Sequence, residues 1–241
     1  MDLDTTTTAK NPKEAILILP GFGLRFFGNA DQEAYFSNRG YDVFIPKYVA
    51  RKSLGKSLEN LSAFIEENKL HEYAKLHVFS YIIGSWVLNE YIRKNPDNNI
   101  HTVLYDRSPL QERAPYTIIN DIPLASWLAF GPITWELAKT PYTPIDNSEQ
   151  IEIGILIESK ATKVIRKHKE TALEPGEIRW DISSLNQPCD DFFYHRLDHD
   201  QMYSRFDVIG EEIFCFIRTG NFSDTARREP FTWDYYQPSD E

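Results

Sequence analysis

Four short segments of this chain hold groups able to do chemistry, and they lie far apart in sequence. Gly21-Phe22-Gly23 offers closely spaced backbone N–H groups of the kind that hold a negative oxygen. Ser80-Tyr81-Ile82-Ile83-Gly84-Ser85 sets two hydroxyls beside a glycine, where a tight turn could present a nucleophile. Asp106-Arg107-Ser108-Pro109 follows an apolar run. His195, Asp198, His199 and Asp200 cluster late in the chain, and an imidazole beside a carboxylate suits proton transfer. The same cluster is not a metal site: His-x-x-x-His in a loop has no helix to align both rings, and no third ligand is fixed. Cys189 and Cys215 make neither a disulfide framework nor a zinc site. Two glycines before Arg25-Phe26-Phe27 are too few for a nucleotide cradle, so no cofactor is expected.

The elements that must position these residues alternate along the chain. Ala15 to Leu19 is a buried-strand run stopped by Pro20-Gly21, and Tyr41 to Ile45 is a second strand closed by Pro46. A short helix from Asp31 to Asn38 lies between them. Leu58, Leu61, Phe64 and Ile65 recur at helical spacing, which predicts an amphipathic helix from Lys56 to Asn68. Leu76 to Phe79 is the third strand, followed by a helix from Ile83 to Lys94 that ends at Asn95-Pro96. Ile100 to Tyr105 and Ile151 to Ile157 are the fourth and fifth strands, and Tyr203 to Arg218 is the last helix. Uninterrupted apolar strands alternating with helices indicate an α/β fold, with a mostly parallel sheet covered on both faces. Residues 1–13 read as a flexible N-terminus, 14–220 as one domain, and 221–241 as an aromatic tail. Between 110 and 148, five prolines with Trp127, Phe130 and Trp135 read as a short helical insertion over the sheet.

Composition narrows the function class. The 241 residues carry a formal net charge of −10 and 33 aromatics, so a packed core is expected and disorder is not. The acidic balance argues against nucleic acid or an anionic membrane surface as the main partner. No apolar run approaches a membrane span, and the threonine-rich N-terminus has no signal-peptide core, so a cytoplasmic location is expected.

In open parallel sheets, chemistry gathers at the carboxyl ends of the strands. The order and spacing of the segments found there resemble the α/β-hydrolase superfamily, particularly small bacterial lipase- and esterase-type members. The resemblance spans about residues 14–220. It implies a Ser nucleophile on a Gly-x-Ser-x-Gly elbow, a His base, an Asp or Glu orienting the base, and backbone N–H groups holding an oxyanion. On this chain the elbow falls on Ser80-Tyr81-Ile82-Ile83-Gly84, so the nucleophile position is Ile82. The base position is His199. The acid is expected after the fifth strand and beyond Leu173-Glu174-Pro175-Gly176, which places it at Arg179, with Asp181 two residues on. The oxyanion loop is Gly21-Phe22-Gly23, completed by the N–H of Ile83. Shifting the elbow to Ser80 or Ser85 does not restore a nucleophile. Val78 and Ile82 would then flank the first, or Ile83 and Val87 the second, and branched side chains obstruct the tight turn.

Three functions stay open on these residues. The first, preferred, is a hydrolase relative without catalysis that binds an apolar small molecule or a protein partner. The second is a carboxylester or thioester hydrolase that uses His199 with Asp181 to activate water, without a serine nucleophile. The third is an interaction scaffold using the aromatic tail from Phe231 to Tyr236. The basic run from Lys160 to Lys169 reads as a solvated helix face.

Overall fold

The computed structural model describes residues 13–21, 29–106, 113–146, 150–199 and 201–237. Among these residues, six strands form one sheet: β1 (Glu14–Leu19), β2 (Asp42–Phe44), β3 (Lys75–Ser80), β4 (Ile100–Asp106), β5 (Glu152–Ile157) and β6 (Asp191–Tyr194). They lie in the order β2-β1-β3-β4-β5-β6, and all five pairings are parallel. The sixth strand comes from the Phe192-Phe193-Tyr194 run, and it carries the chain toward His199.

Period-two alternation sorts the strand side chains onto two faces. Leu17, Leu19, Val78, Val103 and Ile155 pack against α2 (Leu54–Glu67) and α3 (Ile83–Lys94). Ile16, Ile18, Phe79, Leu104 and Leu156 pack against α1 (Asn29–Ser37) and α9 (Phe206–Thr219), through Phe36, Phe206, Ile209, Ile213 and Phe216. Both faces are therefore buried, which is why the strands read as continuous apolar runs. Ser53 caps α2 by accepting from the Lys56 N–H at 3.1 Å, so that helix begins just ahead of its apolar stripe.

Among the described residues, three short helices lie between β4 and β5: α4 (Ala114–Asp121), α5 (Pro123–Phe130) and α6 (Ile133–Lys139). Two more, α7 (Lys163–Lys167) and α8 (Lys169–Leu173), follow β5. The basic run is not simply a solvated face. Arg166 approaches Asp198 at 3.7 Å, and His168 Nδ1 lies 2.7 Å from the Asp121 carboxylate at the end of α4. Lys160 donates to the Asp234 carbonyl at 3.0 Å.

The tail to residue 237 is packed on the body. The Trp233 indole N–H donates to the Ser159 carbonyl at 3.0 Å, and the Ala161 N–H donates to the Tyr235 carbonyl at 2.9 Å. The Tyr235 ring stacks on Trp180 with centroids 4.1 Å apart. Among the described residues, no helix is long and apolar enough to cross a membrane.

Candidate functional site

The strand register brings the carboxyl ends into line. Leu19 pairs with Ser80, Ser80 with Tyr105, Tyr105 with Ile155, and Ile157 with Tyr194. Asp106 at the end of β4, and Gly21, Ile82 and the loop holding His195 and His199 just past β1, β3 and β6, therefore share one edge of the sheet.

At that edge β3 turns sharply into α3. Ile82 has φ +46° and ψ −115°, a left-handed conformation that a β-branched residue rarely adopts. Such a residue costs on the order of 1–3 kcal/mol and persists only when its surroundings hold it. Here the Tyr81 N–H donates to the Leu19 carbonyl at 3.0 Å and the Ile82 N–H to Asp106 Oδ1 at 3.2 Å. Gly84 is required by close approach: a Cβ there would sit 2.7 Å from Ser80 Oγ and 3.0 Å from both Leu19 Cβ and the Leu19 carbonyl. Gly21 lies against the Ile82 side chain, and a Cβ on it would come within 2.9 Å of Ile82 Cδ1. The turn is built like a nucleophile elbow, and an aliphatic side chain stands on it.

His199 is buried. Its Nδ1 lies 3.4 Å from Oδ2 of Asp106, whose side chain has no exposed surface. That separation suits an ion pair and is looser than the roughly 2.7–2.9 Å of a charge-assisted hydrogen bond. Nε2 of His199 lies 3.0 Å from the Tyr203 hydroxyl, and which of the two donates depends on the tautomer of the ring. The Tyr203 ring lies 4.4 Å from that of Tyr81, and Gln32 ties both residues to α1 by donating to the Tyr81 hydroxyl and the Tyr203 carbonyl.

The carboxylate beside the base position is thus Asp106, at the end of β4. Asp181 opens a 3-10 turn (Ile182–Ser184), accepts from Ser183, and pairs with Arg179 at 3.2 Å. The Ser183 hydroxyl, ahead of Arg179, holds the Asp181 carboxyl below its usual range. The Arg179 side chain is exposed. Phe22 and Gly23 of the oxyanion loop lie outside the described residues. The N–H of Ile83, in a residue with no exposed surface, meets no acceptor among the described residues.

His195 is a second buried imidazole. Neither ring nitrogen has a hydrogen-bond partner among the described residues, and burial pushes its pKa down to about 3, helped by His199 nearby. Cys189 is no nucleophile, since burial and then Asp190 raise its thiol to about 11. Among the described residues there is no group of three metal-ligating side chains. Asp106 and Tyr203 were not assigned by sequence reasoning. The signals were an acid ending the fourth apolar run, and a hydroxyl four residues past the histidine.

Solved structures of similar shape share this fold. Alpha/beta hydrolase domain-containing protein 10 from mouse superposes with a TM-score of 0.55 at 11% identity, covering 87% of this chain and 90% of that one. This chain has the α/β-hydrolase fold. The bromoperoxidase from Bacillus anthracis gives a TM-score of 0.53 at 11% identity, covering 86% of this chain and 92% of that one. The pyrethroid hydrolase PytH gives 0.51 at 12% identity, covering 87% and 98%. No family model and no curated protein matches the sequence.

Proposed function

We propose that this chain is an α/β-hydrolase-fold protein without serine chemistry, and that its site binds rather than cleaves. The observation that carries this is Ile82 on the strained turn. Covalent acyl transfer needs an atom with a lone pair to bond the carbonyl carbon, and a sec-butyl group has none. What the site keeps is a donor and an apolar floor. The unpaired N–H of Ile83 suits a carbonyl or carboxylate oxygen, and Ile82 over Gly21 suits an apolar body. The ligand class is therefore an apolar molecule carrying one such oxygen, free or as part of a protein partner.

A fluorophosphonate probe tests this directly. The wild-type chain should not label and should turn over neither short nor long p-nitrophenyl esters, whereas Ile82→Ser alone should label at position 82. Wild-type turnover that vanishes in His199→Ala would reject the reading.

That outcome would favour a second reading, supported by the pairing of His199 with Asp106. An imidazole oriented by a buried carboxylate can take a proton from water without any covalent intermediate. Hydrolysis of a carboxyl ester or thioester would then run through water activated at His199, with Asp106 rather than Asp181 orienting the ring.

A further inference from the structure

Helix α5 turns its apolar face outward. Leu124, Trp127 and Leu128, at i, i+3 and i+4, are 72%, 50% and 67% exposed, while the buried side chain of the helix is Ser126. A helix that only closes a core shows the reverse pattern. Ile122 extends the patch, and the fourteen residues 122–135 include no charged side chain.

We propose that α5 is a lipid-docking element that lies along an uncharged or zwitterionic lipid surface, with Leu124, Trp127 and Leu128 among the acyl chains. Three observations select that occupant. The first is the state of the helix ends. A helix leaves its last carbonyls unpaired, and burying them without partners in an apolar phase is costly. Here the Arg51 guanidinium donates to the carbonyls of Trp127, Leu128 and Ala129 at 3.3, 2.7 and 3.0 Å. Pro123 at the first position removes one orphan N–H as well.

The second observation is size. The exposed part of four side chains amounts to a few hundred Å², well below the roughly 800 Å² per partner of a stable protein pair. A second copy docked through this face would bury too little. The third is charge. The apolar side chains of the patch carry no charge, the Arg51 guanidinium at its end is engaged by three carbonyls, and the chain is acidic, so anionic headgroups would add little to the attraction.

The face is also held ready. Asp121, just ahead of α5, is fixed by His168 at 2.7 Å and by the Thr171 hydroxyl at 2.7 Å. Beyond it, Glu136 on α6 accepts from the Leu54 N–H at 2.8 Å. Docking therefore orders little that is not already ordered.

Flotation of the full chain with phosphatidylcholine vesicles carrying brominated acyl chains tests the proposal. The wild type should float and lose tryptophan fluorescence. Leu124→Glu/Leu128→Glu should cut the bound fraction about tenfold or more while its unfolding temperature stays unchanged. If that pair fails to fold, Trp127→Ser on the same exposed face should show the same loss. Adding phosphatidylserine should not strengthen binding, and raising salt should not weaken it. The proposal is overturned if the wild type stays in solution, or if the substituted chains bind equally well. It is also overturned if binding requires phosphatidylserine and disappears in salt. A dimer at micromolar concentration that Leu124→Glu/Leu128→Glu abolishes, with no vesicle binding, would assign the face to a second copy.

Discussion

The Tyr203 hydroxyl hydrogen-bonds Nε2 of His199 at 3.0 Å and so occupies that ring nitrogen. On its other side the same ring faces Asp106 at 3.4 Å, and the Ile82 N–H donates to that same carboxylate from the turn after β3. The two halves of the site have separate consequences.

In an Ile82→Ser chain the new hydroxyl must compete with Tyr203 for Nε2. Tyr203→Phe removes that competitor and keeps the ring that stacks on Tyr81. Ile82→Ser/Tyr203→Phe should therefore label with fluorophosphonate about tenfold faster than Ile82→Ser, a modest part of what a positioned base supplies. Equal rates would mean that Tyr203 does not hold the ring back.

The acid can be tested in the same background. Asp106→Asn removes the carboxylate that fixes the Nδ1 tautomer and should slow labelling of Ile82→Ser by about a hundredfold or more. Asp181→Asn should leave the rate nearly unchanged, because its carboxylate serves Arg179 and Ser183. The reverse result would return the acid to the loop after β5. A second substitution at Arg179 is unnecessary on this geometry, since Asp106 already stands at His199.

The sequence located the turn and missed its supports, for physical reasons. Ile82 and Gly84 are legible because the turn is local: a strand, a small residue and a helix within a few positions. Through space, Gly84 lies close against Leu19 at the end of β1. Asp106 was visible as the residue ending a strand, but its role depends on the pairing of β3 with β4 and on the loop beyond β6 folding back over both. No local pattern encodes that closure. His168 and Arg166 were misread for the same reason. A basic run looks solvated until its partners Asp121 and Asp198 arrive from distant segments.

Acid should destabilise the fold through its buried histidines. Burial drives His195 down to about 3, and it drives His77 down to about 4 against the opposing pull of Glu14. Both pKa values lie below the unfolded value near 6.5, so the unfolded chain binds more protons below that pH. The stabilisation is complete above about pH 7 and is lost as pH falls through 6.5 toward the folded values. At pH 5 each histidine should cost roughly 2 kcal/mol relative to pH 8. His195→Leu removes one of them together with its unpaired nitrogens, so it should raise the unfolding temperature more at pH 5 than at pH 8. An equal shift at both values would show that His195 takes up a proton in the fold as readily as in the unfolded chain.

The tail separates packing from docking as its role. Deleting residues 230–241 removes the Tyr235 ring stacked on Trp180, the indole bond to the Ser159 carbonyl, and the acceptor of the Ala161 N–H. It uncovers the cluster of Ala161, Ile165, Ala172, Ile178 and Trp180. Losing a large buried aromatic and two hydrogen bonds should cost roughly 3–5 kcal/mol. For a chain of this size that is a fall in Tm on the order of 10 °C. A docking segment would behave differently, because its removal would abolish partner binding and leave Tm almost unchanged. Tyr235→Ala in the full chain sharpens the comparison, since it breaks the stack on Trp180 and leaves every exposed tail residue in place. If it destabilises nearly as much as the deletion, the aromatics of the tail belong to the core.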